Sequence, residues 1–173
     1  MPYRKKVQEL MIPLEDYPHI PYWFTLRQAM AIVREAAIKF EGSFEPRSML
    51  VFDEKYNLLG ILTLRDIIRG LTPKFLQGAV GKLRAAFDLD SAISGLEADL
   101  SGPAVKEAAQ TAVSEVMSPI KTTVATGDSL AKALFLMIQE DLGRMPVMEE
   151  QKVVGIIRLS DLFREVSDFV LQD

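Results

Sequence analysis

Gly60-Ile61-Leu62-Thr63-Leu64-Arg65-Asp66-Ile67 returns 95 residues later as Gly155-Ile156-Ile157-Arg158-Leu159-Ser160-Asp161-Leu162. The same glycine, the same apolar run and the same aspartate recur. Working backwards from each copy, Met49-Leu50-Val51-Phe52-Asp53-Glu54 matches Met145-Pro146-Val147-Met148-Glu149-Glu150 at an offset of 96. Thr25-Leu26-Arg27-Gln28-Ala29-Met30 matches Ser129-Leu130-Ala131-Lys132-Ala133-Leu134 at 104, and Val7-Gln8-Glu9-Leu10-Met11-Ile12-Pro13 matches Val113-Ser114-Glu115-Val116-Met117-Ser118-Pro119 at 106. Four blocks in one order, with offsets that drift only between blocks, describe one ancestral unit used twice with altered loops.

Each unit has a readable local structure. Thr25 and Ser129 are N-cap residues, each opening an apolar-periodic helix. In the second unit Leu130, Ala133, Leu134, Met137 and Ile138 share a face, and Gly143 suits the helix end. Two short apolar runs follow, Met145–Met148 and Val153–Ile157, separated by Glu149-Glu150-Gln151-Lys152, which predicts an antiparallel hairpin. The first unit repeats this as Met49–Phe52, a turn over Asp53–Asn57, and Leu58–Leu62. A closing helix starts at Asp66 or Asp161 and carries Ile67, Ile68 and Leu71, or Leu162, Phe163 and Val166. The fold class is therefore α/β (α+β): two strand–helix–strand–strand–helix units packed around a pseudo-twofold axis. Either unit alone is too small to bury its sheet well.

The units are expected at 1–71 and 113–173, with a helical insertion over 72–112. About six extra residues, Glu41–Pro46, lengthen the first unit before its hairpin. Within the insertion, Phe75, Leu76, Ala79, Val80, Leu83 and Phe87 form an amphipathic stripe, continued by Ile93, Leu96 and Leu100, which predicts two helices. Gly78–Leu83 imitates a phosphate loop but lacks its first glycine and its hydroxyl, so it is set aside. Tyr22-Trp23-Phe24 cannot all point inward from a strand, so one or two of them are expected to cover the insertion or a partner.

Composition excludes several functions. There is no cysteine and one histidine, His19, so thiolate catalysis and imidazole or thiolate metal sites are not expected. The net charge of −4 argues against a nucleic-acid surface. No secretory leader and no run of the roughly 18–20 apolar residues that span a bilayer is visible, so a cytoplasmic protein is expected. No nucleophile sits beside a base, so the chain does not read as an enzyme.

Together these blocks resemble the CBS domain family, over about residues 7–71 and 113–168. The resemblance rests on Val113–Pro119, Arg144-Met145-Pro146-Val147, Gly155-Ile156-Ile157 and Asp161, and on Val7–Pro13 and Gly60–Asp66 in the first unit. It implies a regulatory pair that binds AMP, ADP, ATP or S-adenosylmethionine between the units, with no obligatory cofactor, and that forms a homodimer. A separate effector protein is the implied target of regulation. By the same resemblance Asp66 accepts both ribose hydroxyls and Thr63 meets a phosphate, with Asp161 as the second carboxylate. Pro13, Ile20, Pro119, Val124, Met145 and Pro146 are then the remaining ligand-binding positions. Two departures stand out. Arg158 replaces the threonine of the second unit, where it either contacts a phosphate or fills the pocket. Leu50 stands where the second unit has Pro146. The alternative is a dimerising interaction module that binds no ligand.

Overall fold

A computed structural model describes residues 4–39, 48–72 and 101–172, with Ser94 and Glu97. The two stripes expected over 75–100 lie outside these residues, apart from those two isolated positions.

Each repeat folds as a parallel βαβ unit followed by a hairpin strand and a helix. In the first, β2 (His19–Pro21) leads through α1 (Leu26–Lys39) to β3 (Ser48–Phe52), then β4 (Leu58–Thr63) and α2 (Leu64–Leu71). In the second, β6 (Val124–Ala125), α4 (Leu130–Gln139), β7 (Arg144–Glu149), β8 (Lys152–Arg158) and α5 (Leu159–Val170) follow the same path. A short helix, α3 (Pro103–Ala108), precedes the second repeat. Registers agree between halves: Ile20 pairs Val51 and Val124 pairs Val147 in the parallel ladders. Both hairpins shift register at the same step, Val51/Phe52 and Val147/Met148.

The sheets are not made by one repeat each. Strand β1 (Ile12–Pro13) lies antiparallel on β8, with Ile12 opposite Ile156 and Pro13 opposite Gly155. Strand β5 (Ser118–Pro119) lies on β4, with Gly60 opposite Pro119 and Ile61 opposite Ser118. The orders are β1-β8-β7-β6 and β2-β3-β4-β5. Each half thus receives its edge strand from the segment that precedes the other half. The glycines of the repeated motif permit this: a Cβ on Gly60 would stand 2.7 Å from the Ser118 carbonyl oxygen, and one on Gly155 would stand 2.5 Å from that of Ile12.

Packing follows the pleat. In β3 every residue is buried, because successive side chains enter different cores. Met49 and Val51 join Ile20, Leu26, Ala29, Leu62 and Ile67 on the helix side. Leu50 and Phe52 join Tyr17, Val153 and Ile156 between the two sheets. The second half has its own helix-side core around Val124, Ala133, Met137, Met145, Val147 and Ile157. The shared middle core is the face-to-face packing expected from the repeat.

Four details differ from expectation. Helix α4 ends at Gln139, and Asp141, at φ 54°, takes the left-handed turn assigned to Gly143. The closing helices begin at Leu64 and Leu159, two residues before the aspartates. Ile68, Ile138, Phe163 and Val166 are exposed, since each helix carries a wider apolar stripe than one sheet can cover. Tyr22-Trp23-Phe24 lies in a turn rather than a strand; Tyr22 and Phe24 pack on the first core, while Trp23 faces outward. Among the described residues no helix is long and apolar enough to cross a membrane.

Candidate functional site

The motif Thr63-Leu64-Arg65-Asp66 folds as a capping box. Thr63, extended at φ −92° and ψ 164°, is the N-cap of α2. Its Oγ1 accepts from the Asp66 amide at 3.0 Å, and its own amide donates to Asp66 Oδ2 at 3.0 Å. Reciprocal capping satisfies two amides that the first helical turn would otherwise leave open. It also fixes the carboxylate in the first turn, where the helix dipole favours negative charge.

Asp66 is only 2% exposed. Beyond Thr63 it has two further partners. Ser118 Oγ, from the exchanged strand β5, stands 3.1 Å from both carboxylate oxygens. The Arg69 guanidinium, one turn along α2, forms an ion pair with Oδ1. A buried charge needs such company, because an isolated one is prohibitively costly.

Asp66 lines a cleft of about 570 Å³ between the two halves. The cleft is lined by Ile61, Thr63, Leu64, Arg65, Asp66 and Arg69 from the first half, by the stretch from Ser118 to Thr122, and by Asp141 to Arg144 with Pro146. Of the positions drawn from the family pattern, Thr63, Asp66, Pro119 and Pro146 therefore meet around one space. Ile20, Val124 and Met145 stand buried in the helix-side cores instead. Pro13 stands on β1, paired with Gly155. Leu50, the counterpart of Pro146, is buried between the sheets.

Arg158 and Asp161 are brought together, but with each other. Arg158 Nε donates to Oδ2 and Nη2 to Oδ1, both at 2.6 Å. Arg158 occupies the N-cap position of α5 without a side-chain cap bond.

Sequence reasoning missed Ser118, Arg69, Lys121 and Arg144 as cleft residues. Ser118 and Lys121 arrive with the exchanged strand, which nothing local predicts. Arg144 was quoted only as part of the family pattern. It faces Arg158 across the β7–β8 ladder, and its Nη1 is buried with no hydrogen-bond partner among the described residues. A second space of about 580 Å³ opens between the hairpin turns, beside Lys55, Tyr56, Gln151 and Lys152. It holds none of the expected residues and no carboxylate suited to a ribose.

The comparisons with known proteins agree with this architecture. Solved structures share the fold. The CBS domain of a CBS domain-containing membrane protein from Sphaerobacter thermophilus superposes with a TM-score of 0.62 at 22% identity, covering 92% of this chain and 86% of that one. CBSX2 in complex with AMP gives 0.63 at 15% identity, covering 95% and 98%. The CBS domain of a bacterial CNNM/CorC family Mg2+ transporter in complex with ATP gives 0.64 at 15%, covering 95% and 89%. No curated protein matches the chain at a level that marks a relative. The CBS domain model itself matches residues 12–72 and 113–168, and with two matched repeats joined by exchanged strands this chain belongs to the CBS domain family.

Proposed function

We propose that this chain is a regulatory, non-catalytic sensor that binds an adenosine nucleotide, AMP, ADP or ATP, in the cleft beside Asp66. The observation that carries the reading is the buried Asp66 carboxylate, fixed by a capping box at the boundary of both halves and opening onto a space of nucleotide size. A carboxylate accepts two hydroxyl donors at once, as the two hydroxyls of a ribose require. Thr63 lies beside it at the helix start, a place suited to phosphate oxygens. Two structural relatives hold AMP and ATP.

The charge balance narrows the ligand. Arg65, Arg69, Lys121 and Arg144 line the cleft against Asp66 and Asp141. An excess of cations suits phosphates and disfavours S-adenosylmethionine, which carries its own positive sulfonium. No cofactor is needed for this role. Differential scanning fluorimetry with AMP, ADP, ATP and S-adenosylmethionine tests it. A ligand at 100 times its Kd adds about 2.7 kcal/mol, so the nucleotides raise Tm and S-adenosylmethionine does so least. No shift with any of them removes the reading.

A second reading, an interaction surface, is favoured by one observation. The outer faces of α4 and α5 leave Phe135, Ile138, Phe163, Phe169 and Val170 exposed. Large apolar side chains exposed in this number on two neighbouring helices mark a partner site. We assign it to a second copy of this chain, giving a cytoplasmic homodimer that passes nucleotide occupancy to a separate effector protein.

A further inference from the structure

The halves repeat one fold, yet the two carboxylates that repeat with it are held by different kinds of partner. Asp66 pairs with Arg69, whose side chain is 56% exposed at the cleft rim. Asp161 pairs with Arg158, and these two side chains are only 8% and 11% exposed, respectively. The position matters as much as the burial. Arg158 stands where the first half has Thr63, so the residue whose counterpart faces the cleft is here turned onto its own aspartate. Its planar fork meets both oxygens of Asp161, at 2.6 Å each. Fork-to-fork pairing of this sort sets a rigid guanidinium across both oxygens, on the edge that two ribose hydroxyls would approach.

We infer that Arg158 is a built-in plug: it takes the place of a ligand on Asp161, so each chain receives one nucleotide, at Asp66. This rests on the nucleotide reading of the Asp66 cleft. The difference lies in what an arriving ribose must displace. Asp66 is as buried as Asp161, but the Arg69 side chain on it is 56% exposed and can turn towards water, while the Thr63 amide and the Ser118 hydroxyl stay on the carboxylate. Arg158 would have to leave a buried carboxylate, and separating a buried pair strands both charges. Nor has it an easy alternative position. Arg144 stands directly opposite it on β7, and like charges facing each other across a ladder repel. The Asp161 carboxylate offsets that repulsion. The second aspartate therefore persists as half of a structural ion pair.

Isothermal titration calorimetry with ATP and with AMP tests the plug. The wild-type chain is expected to bind one nucleotide, and Asp66→Asn to lose that event by about 30-fold or more. Arg158→Thr restores the hydroxyl of the first half and is expected to add a second event, giving two nucleotides per chain. In the Arg158→Thr background, Asp161→Asn is expected to remove the added event. Two nucleotides bound by the wild type overturn the inference while leaving the nucleotide reading intact. A folded Arg158→Thr variant that still binds one overturns it as well. No heat with the wild type at all defeats the nucleotide reading, and the plug falls with it.

Discussion

Ser118 reaches from the second repeat to stand 3.1 Å from both carboxylate oxygens of Asp66 in the first. The proposed ribose acceptor is thus held by both halves, and its geometry exists only when they are docked. Asp66→Ala is expected to weaken nucleotide binding by roughly 10- to 150-fold, the equivalent of about 1.5–3 kcal/mol for hydrogen bonds to a charged acceptor. It also removes the return half of the capping box, at about 1 kcal/mol of stability. Calorimetric titration beside a urea melt separates the two effects. Unchanged affinity in a folded variant would remove Asp66 from the site.

Arg144 lines the same cleft with a buried Nη1 that has no hydrogen-bond partner among the described residues. A buried donor left open is costly, so a ligand that fills it gains on that account. Arg144→Gln is expected to weaken ATP by about 10-fold or more while changing the affinity for unphosphorylated adenosine by less than about 3-fold. Equal losses for both ligands would show that Arg144 shapes the cleft rather than reading phosphate.

Gly155→Ala is expected to destabilise the fold by about 1–3 kcal/mol, the usual range for overpacking. Its Cβ would meet the Ile12 carbonyl oxygen at 2.5 Å, and backbone on a paired strand cannot swing aside as a side chain can. Gly60→Ala should behave alike through Ser118 at 2.7 Å. Gly127 has nothing within 4 Å of such a Cβ, so Gly127→Ala is the control, within about 0.5 kcal/mol. Urea midpoints of the three variants decide it.

Tyr17 is buried between the sheets and its hydroxyl lies 2.5 Å from Ser48 Oγ. Burial pushes the phenol pKa above its ordinary value, partly offset by the Ser48 hydrogen bond and by the nearby Arg144 and Arg158. The folded state therefore holds the proton more tightly than the unfolded one. That stabilisation is fully present below about pH 10 and is lost as pH rises through the higher folded value. Tyr17→Phe is expected to be less stable near neutrality, because Ser48 loses its partner, and to show a smaller alkaline loss. Denaturant midpoints between about pH 8 and 11 check this; parallel curves for both proteins would contradict it.

Phe163, 70% exposed on α5, tests the dimer. Phe163→Glu is expected to shift the sedimentation profile from dimer towards monomer at micromolar concentration while leaving the fold intact, since no core contact is lost. A wild-type chain that is monomeric at high micromolar concentration contradicts the assignment.

The repeat, the hairpins and the pairing of the halves were legible because β3, β4, β7 and β8 carry long apolar runs bounded by polar turns. The capping box was not read: the apolar periodicity starts the helix at Asp66, whereas Thr63 is the N-cap and Asp66 closes the box three residues on. Nor was the exchange. Strands β1 and β5 are two residues each, shorter than one period of any pattern. Their trace in the sequence is indirect: a glycine inside an apolar strand, Gly60 or Gly155, signals a close backbone approach. The site followed the same rule. Thr63 and Asp66 lie within one motif and were found together, whereas Ser118, Lys121 and Arg144 reach the cleft only through long-range pairing.

The exchanged strands have a consequence for how the chain holds together when cut. Each half lends the other an edge strand, so the covalent link is not what joins them; it only keeps them near each other. A chain cleaved once between residues 73 and 100 should remain a two-fragment complex that melts at a concentration-dependent temperature. Neither fragment alone would complete a four-stranded sheet, and each would offer an open edge to any second molecule of the other.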